Sequence, residues 1–185
     1  LGRPETETTR VVELGNPADD GVYARLAGDA AVFLAPRALF VAASRWLVDR
    51  GGLSVAVKEV REVQASAGDG ARALTMTREG EAFVATGDAA ALGDAPARVA
   101  QLREILEELR ALEVAQVGAP LADHGLAEPV AELAIALEGG RALTIAFGAG
   151  VIRDDARVHY ARRSDVDAVY TVPRATVLAL REALR

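Results

Sequence analysis

The chain has no cysteine. That excludes a disulfide framework, a thiolate nucleophile and any Cys-ligated metal site, and it removes the usual redox clue to compartment. Basic charge is also scarce: 21 Lys and Arg stand against 27 Asp and Glu, giving a net charge of −6, and Lys58 is the single lysine. DNA, RNA and anionic membrane surfaces all require clustered cations, so a nucleic-acid partner is not expected. No run approaches the roughly 18 consecutive apolar residues of a membrane span. Aromatic residues make up only 4% of the chain, so the core has to be built from Leu, Val and Ala layers in which each ring anchors packing.

What is present is enough for a proper core. The 185 residues are 51% apolar and 26% charged, and a domain of this length removes roughly 70% of its unfolded surface from water. The chain opens on Leu1, inside a motif described below, and so reads as the soluble part of a longer protein.

One stretch is written twice. VYARLAGDAAVFLAPRA, residues 22–38, returns as HYARRSDVDAVYTVPRA, residues 159–175; aligned without gaps from Tyr23 on Tyr160 to the end of the chain, ten of 26 positions are identical. The copying reaches upstream, where LGRP at residues 1–4 matches LAEP at 126–129, and VELG ending at Gly15 matches IAFG ending at Gly148; the first copy is shorter between its proline and its glycine. Each copy reads as short strands rich in β-branched and aromatic residues, broken by turn clusters such as GNPADDG, then a helix opened by Pro36 or Pro173. Leu39, Phe40, Ala43 and Leu47 follow the first proline with helical spacing, and Val177, Leu180 and Leu184 follow the second.

Between the copies, VKEVREVQAS, ARALTMTRE and EAFVATG read as three strands. The stretch from Asp94 reads as the strongest helix, with Asp94 as N-cap and an apolar stripe of Val99, Leu102, Ile105, Leu106, Leu109 and Leu112 that packs on a sheet. VGAPLADHGLAEP is a loop into a hairpin turning at Gly139-Gly140. The expected architecture is α+β: duplicated antiparallel β-meander-plus-helix units, residues 1–50 and 126–185, related by pseudo-symmetry around a central strands-plus-helix segment, residues 51–125. A second copy can cover or extend the sheet edges that one copy leaves open.

Chemistry-bearing residues are few. The chain has two histidines, His124 and His159. His159 stands in a strand where the other copy has Val22 and reads as a strand side chain. His124 follows Asp123 in a loop, and a hydrolase built on Asp123 and His124 is the remote alternative, because adjacent residues rarely aim at one reacting atom. No metal site is expected: there is no HExxH or calcium loop, and RDDAR, around Asp154 and Asp155, reads as a solvated hairpin tip. Ser44, Ser54, Ser66 and Ser164 lack a nucleophile elbow. FGAGV, residues 147–151, has two glycines at dinucleotide-loop spacing but neither the third glycine nor a following helix. No catalytic residue and no cofactor is therefore expected.

The most informative small pattern is Tyr-Ala-Arg. Residues two apart in a strand share a face, so Tyr23 with Arg25 and Tyr160 with Arg162 each present a ring beside a guanidinium. In the structural reading the ring covers a helix or sheet edge while the arginine pairs with a carboxylate; in the functional one the four residues form an interaction surface displayed twice. Trp46, with Ala183 as its counterpart, reads as a core or subunit contact.

Several of these motifs together carry a resemblance: the Gly-Leu-x-x-Pro turn, the hairpin closing on glycine, VYAR or HYAR, AVFLAP or AVYTVP, and a terminal helix. With the charged-Gly-x-x-aromatic strand at residues 79–83, where Phe83 takes the aromatic place, the chain resembles a bacterial family of unknown function, domain of unknown function 4340. The resemblance implies a single membrane-spanning anchor ahead of the domain and an extracytoplasmic, periplasmic location at the bacterial inner membrane. It also implies association with gliding-motility-type ABC transport systems; it brings no reaction. The function expected is a non-enzymatic binding or scaffolding module whose partners are membrane transport-complex proteins. The alternative is a carrier or sensor holding an apolar or glycan ligand between the two repeats.

Overall fold

The computed structural model describes residues 11–40, 51–68, 73–87, 94–153 and 155–185; the sequence readings of LGRP, Trp46, Asp154 and most of the helix after Pro36 lie outside these residues. The chain forms an α+β structure in two compact units, Leu1–Val48 and Asp49–Arg185. The central segment and the second copy are not separate bodies. They share one sheet and one core.

In the first unit, β1 (Val12–Ala18), β2 (Gly21–Leu26) and β3 (Phe33–Pro36) form an antiparallel sheet in the order β1-β2-β3. Asp19 and Asp20 make the first turn. In the second, Gly28 takes the left-handed backbone (φ 84°) that side chains resist, and the Asp29 carboxylate accepts the Ala31 N–H at 3.1 Å. Among the described residues, Val22, Ala24 and Ala35 are buried with Leu14 packed against them. The chain turns helical at residues 37–40.

The second unit is an eight-stranded antiparallel sheet. Its strands are β4 (Val60–Ala67), β5 (Ala73–Glu79), β6 (Ala82–Thr86), β7 (Glu113–Val117), β8 (Ala131–Leu137), β9 (Ala142–Arg153), β10 (Ala156–Arg163) and β11 (Ala168–Pro173), in the order β6-β5-β4-β8-β9-β10-β11-β7. Strict alternation in β8, where Ala131, Leu133, Ile135 and Leu137 are buried and their neighbours less so, marks a strand with one face on the core. Gly139 and Gly140, at φ 75° and 77°, close the β8–β9 hairpin as the sequence requires. Asp155, at φ 62°, turns the β9–β10 hairpin at an exposed tip. Arg78 crosses from β5 to donate to the Val57 and Val60 carbonyls and lies 4.7 Å from the centre of the Phe83 ring.

Two helices pack on each other over this sheet, a long helix (Ala95–Glu108) and a C-terminal helix (Arg174–Ala183). Val99, Leu102, Ile105 and Leu106 form the buried stripe of the long helix, and Leu109 is buried just past its end. Leu112 departs from the expected stripe and is exposed, because the helix stops at Glu108 and the chain straightens into β7. Asp94 departs too: its carboxylate makes no cap and instead pairs with Arg98 at 2.9 Å, one turn on. Pro36 and Pro173 each close a strand, so Pro173 stands one residue before its helix rather than within the first turn.

Strand β7 covers Glu113–Gln116, which the sequence leaves unassigned, and Val117, which it reads as the start of a loop. EVAQV is short and weakly patterned, and pairing with β11 determines it. The two meanders, β1-β2-β3 and β9-β10-β11, have matching registers. Tyr23 faces Leu34 as Tyr160 faces Thr171, Ala24 faces Phe33 as Ala161 faces Tyr170, and Leu14 faces Ala24 as Phe147 faces Ala161. Both also carry a bulge in the same place, between Leu14 and Pro17 and between Phe147 and Gly150.

Candidate interaction surface

Alternation along β2 buries Val22 and Ala24 and turns Tyr23 and Arg25 to the other face. Arg25 lies directly across from Glu13 on β1 and pairs with it through Nε, with both side chains about half exposed. Tyr23 is 50% exposed, and Leu34, opposite it on β3, is 51% exposed. The first Tyr-Ala-Arg motif therefore sits on an open face, its arginine neutralised and its ring uncovered.

The second motif has different surroundings. Tyr160 is half-buried against the His124 ring, with centroids 4.3 Å apart and planes tilted by 39°. Arg162 reaches Asp167 only at 3.9 Å, and its Nε is buried without a hydrogen-bond partner among the described residues. Each pair is thus described within its own meander, Tyr23 and Arg25 on β2 and Tyr160 and Arg162 on β10.

His124 is placed by a short 3-10 turn, Ala122–His124, that follows β7 and ends in left-handed Gly125. The ring is 5% exposed, and its Nδ1 accepts the Leu121 N–H at 3.2 Å. Asp123 beside it points to solvent. A ring buried against a tyrosine with one nitrogen held by the backbone does not form a base–carboxylate pair with its exposed neighbour. The turn presses on the β9 bulge: a Cβ on Gly148 would lie 2.1 Å from the His124 carbonyl oxygen, so only glycine fits there. His159 lies alongside, its Nδ1 3.0 Å from the Gly148 carbonyl and its ring over Gly150. Both histidines of the chain are therefore tied to the β9 bulge, a convergence that the separation of 35 positions in sequence does not reveal.

A cavity of about 300 Å³ opens on the β9–β10 hairpin, lined by Gly150, Ile152, Arg157, His159 and Arg174 among others. Neither Arg157 nor Arg174 pairs with a carboxylate among the described residues. The lining sets two guanidiniums and an imidazole beside the apolar Val151, Ile152 and Val158. No group of three or more His, Asp or Glu side chains that could hold a metal occurs among the described residues.

One carboxylate has a clearly displaced titration. Arg163 donates to both Asp165 oxygens, at 2.6 and 2.9 Å, and this hydrogen-bonded guanidinium lowers the Asp165 pKa below its ordinary 3.8. Arg163 also donates to the Ser54 carbonyl at 2.7 Å, tying the β10 end to the segment before β4.

No curated protein and no solved structure matches the chain. The family model described as domain of unknown function, DUF4340, matches residues 3–129 and again residues 88–184, so the stretch 88–129, which holds the long helix, β7 and the His124 turn, is matched twice. The chain belongs to the DUF4340 family.

Proposed function

We propose that the chain is a non-enzymatic binding and scaffolding module, carried on the extracytoplasmic face of a bacterial inner membrane by an anchored protein and accessory to an ABC-type transport or gliding-type complex. The observation that carries the binding role is the distribution of exposed apolar side chains. Of the large ones exposed among the described residues, eight lie in the first unit (Val11, Val12, Tyr23, Val32, Phe33, Leu34, Leu39 and Phe40) and five in the much longer second unit. Val12, Tyr23, Phe33 and Leu34 stand on the small sheet itself and the other four beside its strands, and apolar exposure concentrated in one small unit supports an interaction role. Family membership and the acidic composition support the location and the company. Among the described residues, no helix is long and apolar enough to cross a membrane.

The duplication is part of this reading. The shared pairings, the shared bulge and the recurrence of Tyr-Ala-Arg and Val-Pro-Arg-like segments support one meander-plus-helix unit used twice, at residues 11–40 and 142–183.

Tagged full-length protein expressed in its own host, extracted in mild detergent and analysed for co-purifying subunits tests the role. Recovery of a transporter ATPase and permease is the expected result. Recovery of the protein alone, together with a complex that assembles and works when the domain is deleted, would remove it.

A further inference from the structure

We infer that the first meander is a docking site for a strand-and-turn segment of the kind that residues 113–125 supply to the second, contributed by another repeat of this family. The inference rests on the equivalence of the two meanders and is independent of the transport role.

In the second unit this segment does two things. Its strand, β7, pairs along the outer edge of β11, setting Val117, Gln116, Val114 and Glu113 against Ala168, Val169, Tyr170 and Thr171. Its turn then folds over the outer face, laying the His124 ring on Tyr160 and the His124 carbonyl on Gly148. On that outer face Val169 and Thr171 are 0% and 1% exposed, while Tyr170 on the opposite face packs into the main core.

The first meander has the same strand pairings. The registers place Phe33 and Leu34 where Tyr170 and Thr171 stand, and the sequence alignment places Val32 on Val169; Val32, Phe33 and Leu34 are 62%, 46% and 51% exposed. Tyr23 stands where Tyr160 does, without a ring upon it among the described residues. No described strand pairs with the outer edge of β3.

Gly15 supplies a second, independent observation. It occupies the place of Gly148, which must be glycine because a carbonyl rests on it. Gly15 lies in the β1 bulge, where glycine is common, but its φ is not left-handed and a Cβ would meet nothing closer than 3.5 Å, so the bulge does not itself demand glycine. A glycine costs strand stability where a side chain fits, so its presence at an exposed strand position matches a place kept clear for an approaching backbone. Tyr23, Leu34 and the bare Gly15 share one face, Phe33 lies on the other, and together with the unpaired strand edge they match the outer face and edge that the turn and β7 cover in the second meander. Edge pairing supplies main-chain hydrogen bonds, and the side-chain pattern supplies selectivity.

The test exploits the absence of cysteine. A peptide of residues 111–126 carrying Glu113→Cys is incubated under disulfide-exchange conditions with the 185-residue chain carrying Leu34→Cys, the counterpart of Thr171, or carrying Val84→Cys on the outer strand β6 as a control edge. The expected result is at least tenfold more adduct at position 34 than at 84. The adduct should fall severalfold when the peptide also carries His124→Ala, and fall to the control level when the chain also carries Gly15→Leu. Circular dichroism and unfolding midpoint check that Gly15→Leu leaves the fold intact; if they change, Gly15→Ser serves instead. Equal adduct at 34 and 84, an adduct indifferent to Gly15, or a Leu34→Cys homodimer that outcompetes the peptide would each overturn the inference. The register equivalence, visible in the structure, would survive that failure.

Discussion

The meander at residues 11–40 and the meander at residues 142–173 pair their strands alike, yet one is a thin sheet over Val22, Ala24 and Ala35 and the other lies in the middle of an eight-stranded core. The same register thus coexists with opposite degrees of burial. Register is set locally, by the turns, the bulge and the side-chain alternation, whereas burial depends on which further strands and helices lie against the meander. In the second unit β8 and β7 pair with the two outer strands, β9 and β11, and the C-terminal helix contacts β10 and β11. The comparison separates what a meander needs to form from what it needs to be stable.

Substitutions at matched positions sharpen this contrast, and the largest difference is expected at the aromatic place on the last strand. Tyr170→Ala empties a fully packed site and should cost about 3–5 kcal/mol, while Phe33→Ala, at a half-exposed counterpart, should cost about 1 kcal/mol or less. Urea unfolding followed by circular dichroism reads both. Similar losses at the two positions would mean that the first meander is buried after all.

The glycine pair comes next. Gly148→Ala pushes a methyl group into the His124 carbonyl and should destabilise by about 1–3 kcal/mol. Gly15→Ala should stay within about 0.5 kcal/mol of the parent chain. Hydrogen exchange across β9 and β1 locates each effect, and a large loss at Gly15 would break the comparison. The ring pair is smaller again: His124→Ala should cost about 0.5–1.5 kcal/mol through the lost contact with Tyr160, whereas Tyr23→Ala, with no described ring upon it, should be close to neutral.

The weakest effect is the pH dependence of Asp165. Its carboxyl titrates below 3.8 in the folded protein because of the Arg163 hydrogen bonds. The stabilisation is therefore complete above the unfolded pKa and is lost as pH falls through the lowered folded value. With the Asp165 side chain half exposed, the pair contributes no more than about 1 kcal/mol and is screened by salt. Asp165→Asn should slightly flatten the acid limb of stability measured between roughly pH 5 and 2, and an unchanged limb would assign the acid loss to other carboxylates.

The strands around Val22, Leu133 and Ile145 were legible in the sequence because alternation and β-branched composition are local signals. The long helix was legible from its stripe, and the Gly139-Gly140 turn from its dipeptide. Strand β7 was not, because EVAQV has no strong pattern and becomes a strand by pairing with β11. Periodicity places Leu112 in the helical stripe because it does not show where a helix stops. The position of Asp94 suggests a cap, but Arg98 within one turn competes for the same carboxylate. The Tyr-Ala-Arg motif was visible in both copies, but the difference between an open ring and one covered by His124 was not.

The residue order alone decides the α+β class, the absence of thiol chemistry, the net acidity and the recurrence of a meander with its turns, because each depends on composition or on neighbours a few positions apart. The tertiary structure alone decides that residues 49–185 share one core, that both histidines meet at the β9 bulge, and that Gly148 is confined by a carbonyl while Gly15 is not. Those facts depend on contacts between segments distant in sequence, such as β7 on β11 and the His124 turn on β9, and local pattern carries no signal of which distant segment will arrive.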